Sequence, residues 1–386
     1  MVMETIKTNL GIYFYLSIKE IKIAFKKPIY HWLCWIFPLL LFTLLNASFS
    51  SGTLLDIPVA VVDIDHSPLS KRITRELNAA SHAQIKSFND NLEQAKLALE
   101  HGDVYAVLYI PFDLEKNVLA GKSPSVLFLY NALFYASGSY SSQDFSGLIS
   151  ELNSTYRPIV NAQNEHQGIK LSALHLVYSS LFNPSGSFVY YQQFAATIHL
   201  LQLFVITTTI YILGGTLKTN SMIGFNMMIM CKIIPYTVIF TLLLVVELAV
   251  LITLSGAKVN GNPLYILCVG FCYVLAAQSL GMILYTLTPS TNMAFTLIGL
   301  LVSIALSFSG LAMPEFSLTI IGKVISEMEP LTHALKTMFD IFLRHISAQT
   351  VLKSCAILTI YPIITFILIR RRLYLRIKRN PRGHYA

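Results

Sequence analysis

Charge is what this chain has least of. Only 12% of its 386 residues are Asp, Glu, Lys or Arg, against roughly 25% in soluble globular chains. Hydrophobic residues make up 54%, and the mean hydropathy is +0.59. A soluble domain of this length needs a polar surface that this composition cannot supply, and disorder needs the opposite composition. Both classes are excluded, and an integral membrane protein is expected. Cysteine is scarce as well. All five (Cys34, Cys231, Cys268, Cys272, Cys355) lie in or beside apolar runs. The polar stretch 50–190 has none, so disulfides cannot staple it. Cys268 and Cys272 stand one helical turn apart without further ligands nearby, so they read as packing residues rather than a metal pair.

The charge that is present sits at the ends. Lys7, Lys19, Lys22, Lys26 and Lys27 precede the first apolar run, against Glu4 and Glu20. The last 17 residues carry Arg370, Arg371, Arg372, Arg376, Lys378, Arg379 and Arg382 with no acid. The stretch 50–190 is acidic, with 9 basic and 13 acidic residues. Both basic clusters abut apolar runs, which is the signature of the positive-inside rule. No aromatic-interleaved basic module accompanies them, so nucleic acid is not an expected partner.

Six runs approach the roughly 20 residues that a bilayer requires: Ile29–Phe49, Gln192–Leu213, Ile233–Leu254, Pro263–Tyr285, Thr291–Met313 and Val351–Ile369. An even number places both termini on one side, and their basic character makes that side the cytoplasm. The loop 214–232 then falls inside, and 50–190 and 314–350 fall outside. The first run is too long, and its n-region too extended, for a cleaved signal, so it reads as an anchor. Leu10–Phe25 ahead of it has the pattern of an amphipathic helix lying on membrane lipid. Ile12, Leu16 and Ile23 are set against Lys19, Lys22 and Lys26, and Pro28 ends it. The segment 370–386 reads as a basic cytoplasmic tail.

Residues 50–190 alternate strand-like and helix-like stretches: strand Ile57–Val62, helix Leu69–Ala80, strand Gln84–Phe88, helix Asn91–His101, strand Val104–Ile110, helix Pro111–Leu119 and strand Ser125–Tyr130. A long helix over 139–170 follows, interrupted at Pro158. The pattern predicts an inserted extracytoplasmic α/β domain, a small sheet with helices packed on it. The fold class expected for the whole chain is therefore an α-helical polytopic membrane protein with six transmembrane helices and this domain after the first.

Catalytic motifs are missing. Gly121-Lys122-Ser123 echoes a phosphate loop, but Lys116 stands where its first glycine belongs, and the string follows a helix rather than a strand. Asp63, Asp65 and His66 lack calcium-loop spacing and suit helix capping better than acid–base work. No metal site is expected. Intramembrane ionisable groups are functional candidates by default, and His199 and Glu247 are those that stand deep in the runs. They are too few for an ion-coupled relay. The chain thus offers a transport architecture with no engine of its own.

Three segments carry a resemblance. The first is Ile57–Arg72, with Asp63, Asp65, Ser67 and Ser70 directly after the first run. The second is Gly215-Thr216-Leu217, followed by Lys232, Pro235 and Tyr236. The third is Ser309-Gly310 with Pro314, then Pro330-Leu331-Thr332-His333 before the sixth run. Together they resemble the permease subunits of the ABC-2 family of ABC exporters, in the subgroup with a large periplasmic domain between spans one and two. The chain departs from that pattern in lacking acidic residues before Gly215 and in having Cys231 in place of a glycine. The resemblance implies an inner-membrane export subunit, not itself an enzyme, that moves a substrate of unspecified and hydrophobic-compatible chemistry. It binds no cofactor, and ATP and Mg sit on a partner ATPase. Partners would be ABC ATPase subunits, a second permease copy or paralogue and a periplasmic adaptor. Coupling would run through Lys22 and Lys26 of the interfacial helix and through Leu217, Lys218, Ile223 and Phe225 of the first cytoplasmic loop. Gly310, Pro314 and Pro330 would mark outward-side half-helices. A self-contained secondary transporter or channel is the alternative, as is a membrane-anchored sensor or assembly protein acting through its outer domain.

Overall fold

The computed structural model describes residues 15–48, 54–89, 91–122, 124–130, 135–163, 187, 189–215, 222–257, 259–311, 317–343 and 346–379. The chain separates into two compact units, Ser51–Ser179 and the remainder. Along the chain, α1 covers 15–26 and α2 covers Pro28–Ser48. Lys27 between them is extended, and Pro28 opens the new helix, where a missing N–H costs nothing. The expected helix over Leu10–Phe25 is thus described from residue 15 onward, and 10–14 lie outside the described residues. Trp32–Ile36 form a π-helical turn within α2.

The Ser51–Ser179 unit contains β1 (Ile57–Asp63), α3 (Pro68–Asn78), β2 (Ala83–Phe88), α4 (Leu92–His101), β3 (Ala106–Ile110), α5 (Leu114–Leu119), β4 (Leu127–Tyr130) and α6 (Tyr135–Gln163). The sheet order is β2-β1-β3-β4, with β1 parallel to both neighbours and β4 antiparallel. β1 is buried on both faces, as its unbroken apolar run requires. Val59 and Val61 join Leu69, Ile73 and Leu77 of α3 on one face, while Ala60 and Val62 join Ala95 of α4 on the other. The helix starts are locally encoded. Ser67 accepts from the Ser70 amide at 3.1 Å and Asn91 from the Gln94 amide at 2.9 Å. Gly102 closes α4 with φ +80°, a conformation that disfavours a side chain. Asp144 of α6 accepts from the His82 and Ala83 amides and pairs with His82 Nδ1 at 2.8 Å, which pins α6 to β2. Pro158 does not break α6.

The other unit continues with α7 (Phe194–Gly214), α8 (Met222–Ser255), α9 (Pro263–Leu287), α10 (Thr291–Phe308), α11 (Ile320–Met328), α12 (Pro330–Leu343) and α13 (Ala348–Arg379). Six helices, α2, α7, α8, α9, α10 and α13, are long and apolar enough to cross a membrane. Many of their apolar side chains are exposed, among them Val238 and Leu242 of α8 and Ile363 and Leu368 of α13. A soluble protein does not expose apolar surface on this scale. α9 is the central helix, packed along α7, α13, α12 and α8.

Three span boundaries differ from expectation. α8 begins at Met222, about three turns before Ile233. α10 ends at Phe308 instead of Met313, because Gly310 follows with φ +83°. α13 continues through the basic segment to Arg379, so 370–379 is helix rather than tail. The cause is an apolar stripe of Ile369, Leu373 and Ile377, which stays buried beneath the arginines. Arg376 lies 4.4 Å over the Tyr285 ring and donates to the Thr288 carbonyl, which fastens α13 to the α9–α10 turn.

Small residues let helices approach closely where lipid offers no hydrophobic drive. A Cβ on Gly281 of α9 would meet Thr209 Cβ at 2.9 Å and the Ile206 carbonyl oxygen at 3.1 Å on α7. Gly281→Val is expected to force α7 and α9 apart at a cost of about 1–3 kcal/mol. A lower thermal midpoint in detergent, with Gly281→Ala falling between it and the parent, checks this. An unchanged midpoint for the valine variant contradicts the close approach.

Candidate functional site

The sequence candidates separate into three places. The first is where α1 meets α8. Lys22 and Lys26 are exposed on α1, while Glu20 on the same helix is turned inward and buried. Glu20 Oε1 lies 3.6 Å from Lys232 Nζ of α8, and both side chains are largely shielded from solvent, 8% and 16% exposed. Next to this pair, Tyr30 at the start of α2 packs on Tyr211 of α7 and Tyr236 of α8, with ring centroids 5.3 and 5.5 Å apart. α1 is therefore joined to α8 by charge and to α7 and α8 through α2 by aromatic packing. Leu217 and Lys218 lie outside the described residues. Ile223 is the second residue of α8. Phe225 is fully buried and packs edge-on against Tyr374 of α13 at 5.3 Å. Its ring braces the start of α8 from within and presents no contact surface.

The second place is the apolar interior. His199 of α7 is half-buried, and its Nδ1 makes no hydrogen bond among the described residues. Glu247 of α8 is 3% exposed, and its Oε2 likewise makes none. The two are not brought into contact with each other by any described hydrogen bond or ion pair. Nearby on α7, Gln202 is fully buried and its carbonyl faces the Tyr273 hydroxyl of α9 at 3.3 Å. Asn46, near the end of α2, accepts from Ser255 of α8 at 2.5 Å and, through its backbone carbonyl, from Gln193 at 3.3 Å.

The third is the turn-rich segment after α10. Gly310 takes the left-handed conformation and Pro330 occupies the first position of α12. Pro314 lies outside the described residues. α12 is capped from the α8–α9 loop: the Asn260 and Gly261 amides donate to the Phe342 and Ile341 carbonyls at 3.0 and 2.9 Å, and Asn260 Nδ2 donates to the Leu343 carbonyl at 2.9 Å. These are the orphan acceptors that every helix leaves at its C-terminus.

In the other unit, Asp63 and Asp65 hold backbone. Asp63 accepts from the Asp65 and His66 amides and from Ser70 Oγ, and Asp65 accepts from the Leu114 and Glu115 amides at the start of α5. The following helix α3 is capped by Ser67, while Asp63 holds its own turn and Asp65 caps the more distant α5. Among the described residues no group of His, Cys, Asp or Glu is placed to hold a metal.

Sequence reasoning passed over Glu20 and Glu329. Glu20 was one acid among lysines on a surface helix. The signal for it was the opposite charge at Lys232, in the resembling segment before Pro235 and Tyr236.

Six described helices are long and apolar enough to cross a membrane, and the polar groups above join neighbouring helices. The family model for the ABC-2 family transporter protein matches residues 29–371. The chain belongs to that family. It is accordingly a multi-pass membrane permease of an ABC transporter, and the family implies ABC ATPase partners. No curated protein matches it.

Removing one partner of a shielded ion pair leaves a charge uncompensated, at a cost on the order of 3 kcal/mol. Glu20→Lys and Lys232→Glu are each expected to lower the thermal midpoint of the purified permease. The double exchange is expected to recover much of the loss. Additive losses in the double variant contradict a coupled pair.

Proposed function

We propose that this permease is the membrane-spanning half of an ATP-driven exporter in the inner membrane, moving an unidentified substrate outward. The observation that carries the reading is the Glu20–Lys232 pair, which ties the helix bearing exposed Lys22 and Lys26 to a membrane-crossing helix. A separate ATPase docks on α1 and on the 215–222 connection between α7 and α8, where Leu217 and Lys218 lie. Closure of the ATPase pair then moves α1 and α8 as one lever and switches the permease between inward-facing and outward-facing packings. ATP supplies the differential free energy, as any such switch requires.

The orientation follows from charge. Both basic ends and the connection carrying Lys218 face the cytoplasm, and the acidic stretch 50–190 faces outward. On that side the α/β unit, which holds its own sheet and core, serves as the contact for a periplasmic adaptor. The permease works as a pair, with a second copy or a paralogue completing the pathway.

The test is affinity purification of the tagged chain in mild detergent, co-expressed with its neighbouring genes, followed by an ATPase assay. A co-purifying ATPase with vanadate-sensitive turnover is expected. A lone chain without ATPase activity contradicts the reading and returns weight to a self-contained transporter.

A further inference from the structure

Glu329 is the residue at which α11 gives way to α12. It is buried, 9% exposed, and directly precedes Pro330. Its carboxyl faces the side chain of Gln202 on α7. The Gln202 carbonyl in turn faces the Tyr273 hydroxyl of α9, which also lies 3.1 Å from the Ile198 carbonyl. The α11–α12 turn is held from two sides: Gln202 of α7 lies beside the Glu329 carboxyl, and Tyr361 of α13 donates to the Glu327 carbonyl at 3.3 Å.

The groups around it carry no compensating charge. Tyr273 of α9 and Tyr361 of α13 are neutral and lie within electrostatic reach of it. Glu327 lies two residues earlier on α11. His333 of α12 is committed to Glu327, with Nε2 3.0 Å from its carbonyl and 3.7 Å from its carboxylate. His199 stands one turn from Gln202 on α7. Among the described residues no Lys, Arg or His comes within ion-pair distance of Glu329, and neither Glu329 Oε2 nor Gln202 Nε2 makes a hydrogen bond. An ionised carboxylate in such surroundings is costly, and the group keeps its proton instead. Burial pushes the carboxyl up to about 7, with Gln202 pulling weakly the other way.

We propose that Glu329 is a proton-binding site that latches the α11–α12 turn onto α7 and α9. With the proton bound, the neutral carboxyl stays packed beside Gln202. When the turn opens to water, the proton leaves and the carboxylate is hydrated. Between the two pKa values, opening releases up to one proton per copy and closing takes it up. The inference rests on the outward orientation of this segment given above. The pH dependence follows from linkage. The closed form holds the proton up to about 7. The open form holds it only up to the ordinary carboxyl value near 4.3. The closed packing is therefore favoured at acid pH and loses that advantage progressively as pH rises through this window.

The experiment places a cysteine at Thr332, a buried residue beside the turn, in a background without the five native cysteines, using the assembled transporter in sealed membranes. Labelling by a membrane-impermeant maleimide is normalised to Ser347→Cys, an exposed position on the same outer segment. This removes the intrinsic pH dependence of the thiol. The normalised rate of labelling from outside is expected to rise several-fold between about pH 5 and about pH 8. It should be flat with Glu329→Gln and still pH-dependent with His333→Gln. Should Glu329→Gln fail to reach the membrane, Gln202→Leu removes the group that favours ionisation, and the midpoint is expected to move to higher pH. An unaltered profile in Glu329→Gln, an unmoved midpoint in Gln202→Leu, or no pH dependence in the parent overturns the latch alone. Labelling of both cysteines from the cytoplasmic side only overturns the orientation and the latch together.

Discussion

The ion pair between Glu20 and Lys232 is the constraint on which the working parts of the membrane unit depend. Both charges are shielded, and each would be costly without the other. Their pairing fixes the rotation of α1, because turning Glu20 inward leaves Lys22 and Lys26 outward. It also allows α8 to begin at Met222 rather than at the first strongly apolar residue, because Lys232 need not reach water. Tyr30, Tyr211 and Tyr236 close the same joint from the apolar side. One interaction thus bears on which face of α1 is free and where α8 starts.

The rest of the unit is held by local devices that suit an apolar environment. Gly281 permits close contact of α7 with α9, Arg376 fastens α13 to the turn after α9, and Asn260 with Gly261 satisfies the open end of α12. Each joins neighbouring elements of the membrane unit. In the α/β unit the chemistry is similar but serves a different end. Asp63 and Asp65 spend their carboxylates on backbone amides, which tie β1 to the start of α5.

Much of this architecture is legible in the sequence because its signals are local. Ser67-Pro68, Asn91 and Gly102 punctuate helices by their own side-chain or backbone chemistry, and the strands between them are short β-branched runs. The six apolar runs declare themselves by length. Boundaries fail where tertiary contacts override composition. Lys232 looks like the edge of a span until Glu20 neutralises it. The arginines after Ile369 look like a tail until Leu373 and Ile377 are seen packing beneath them. Phe225 packs inside the unit against Tyr374, and Glu20 and Glu329 became visible only when distant segments met. Membership of the ABC-2 family was legible from three separated motifs, none of which suffices alone.

The central claim is that α1 and α8 move as one body when the partner ATPase turns over. Pulsed electron-spin distance measurements on the assembled transporter address it directly. One pair of labels joins Lys22→Cys on α1 to Met230→Cys on α8, and a second joins Lys22→Cys to Arg371→Cys on α13. Between the ADP-bound and vanadate-trapped states, the account predicts an unchanged first distance and a changed second. A first distance that changes with the nucleotide state, or a second that does not, contradicts it.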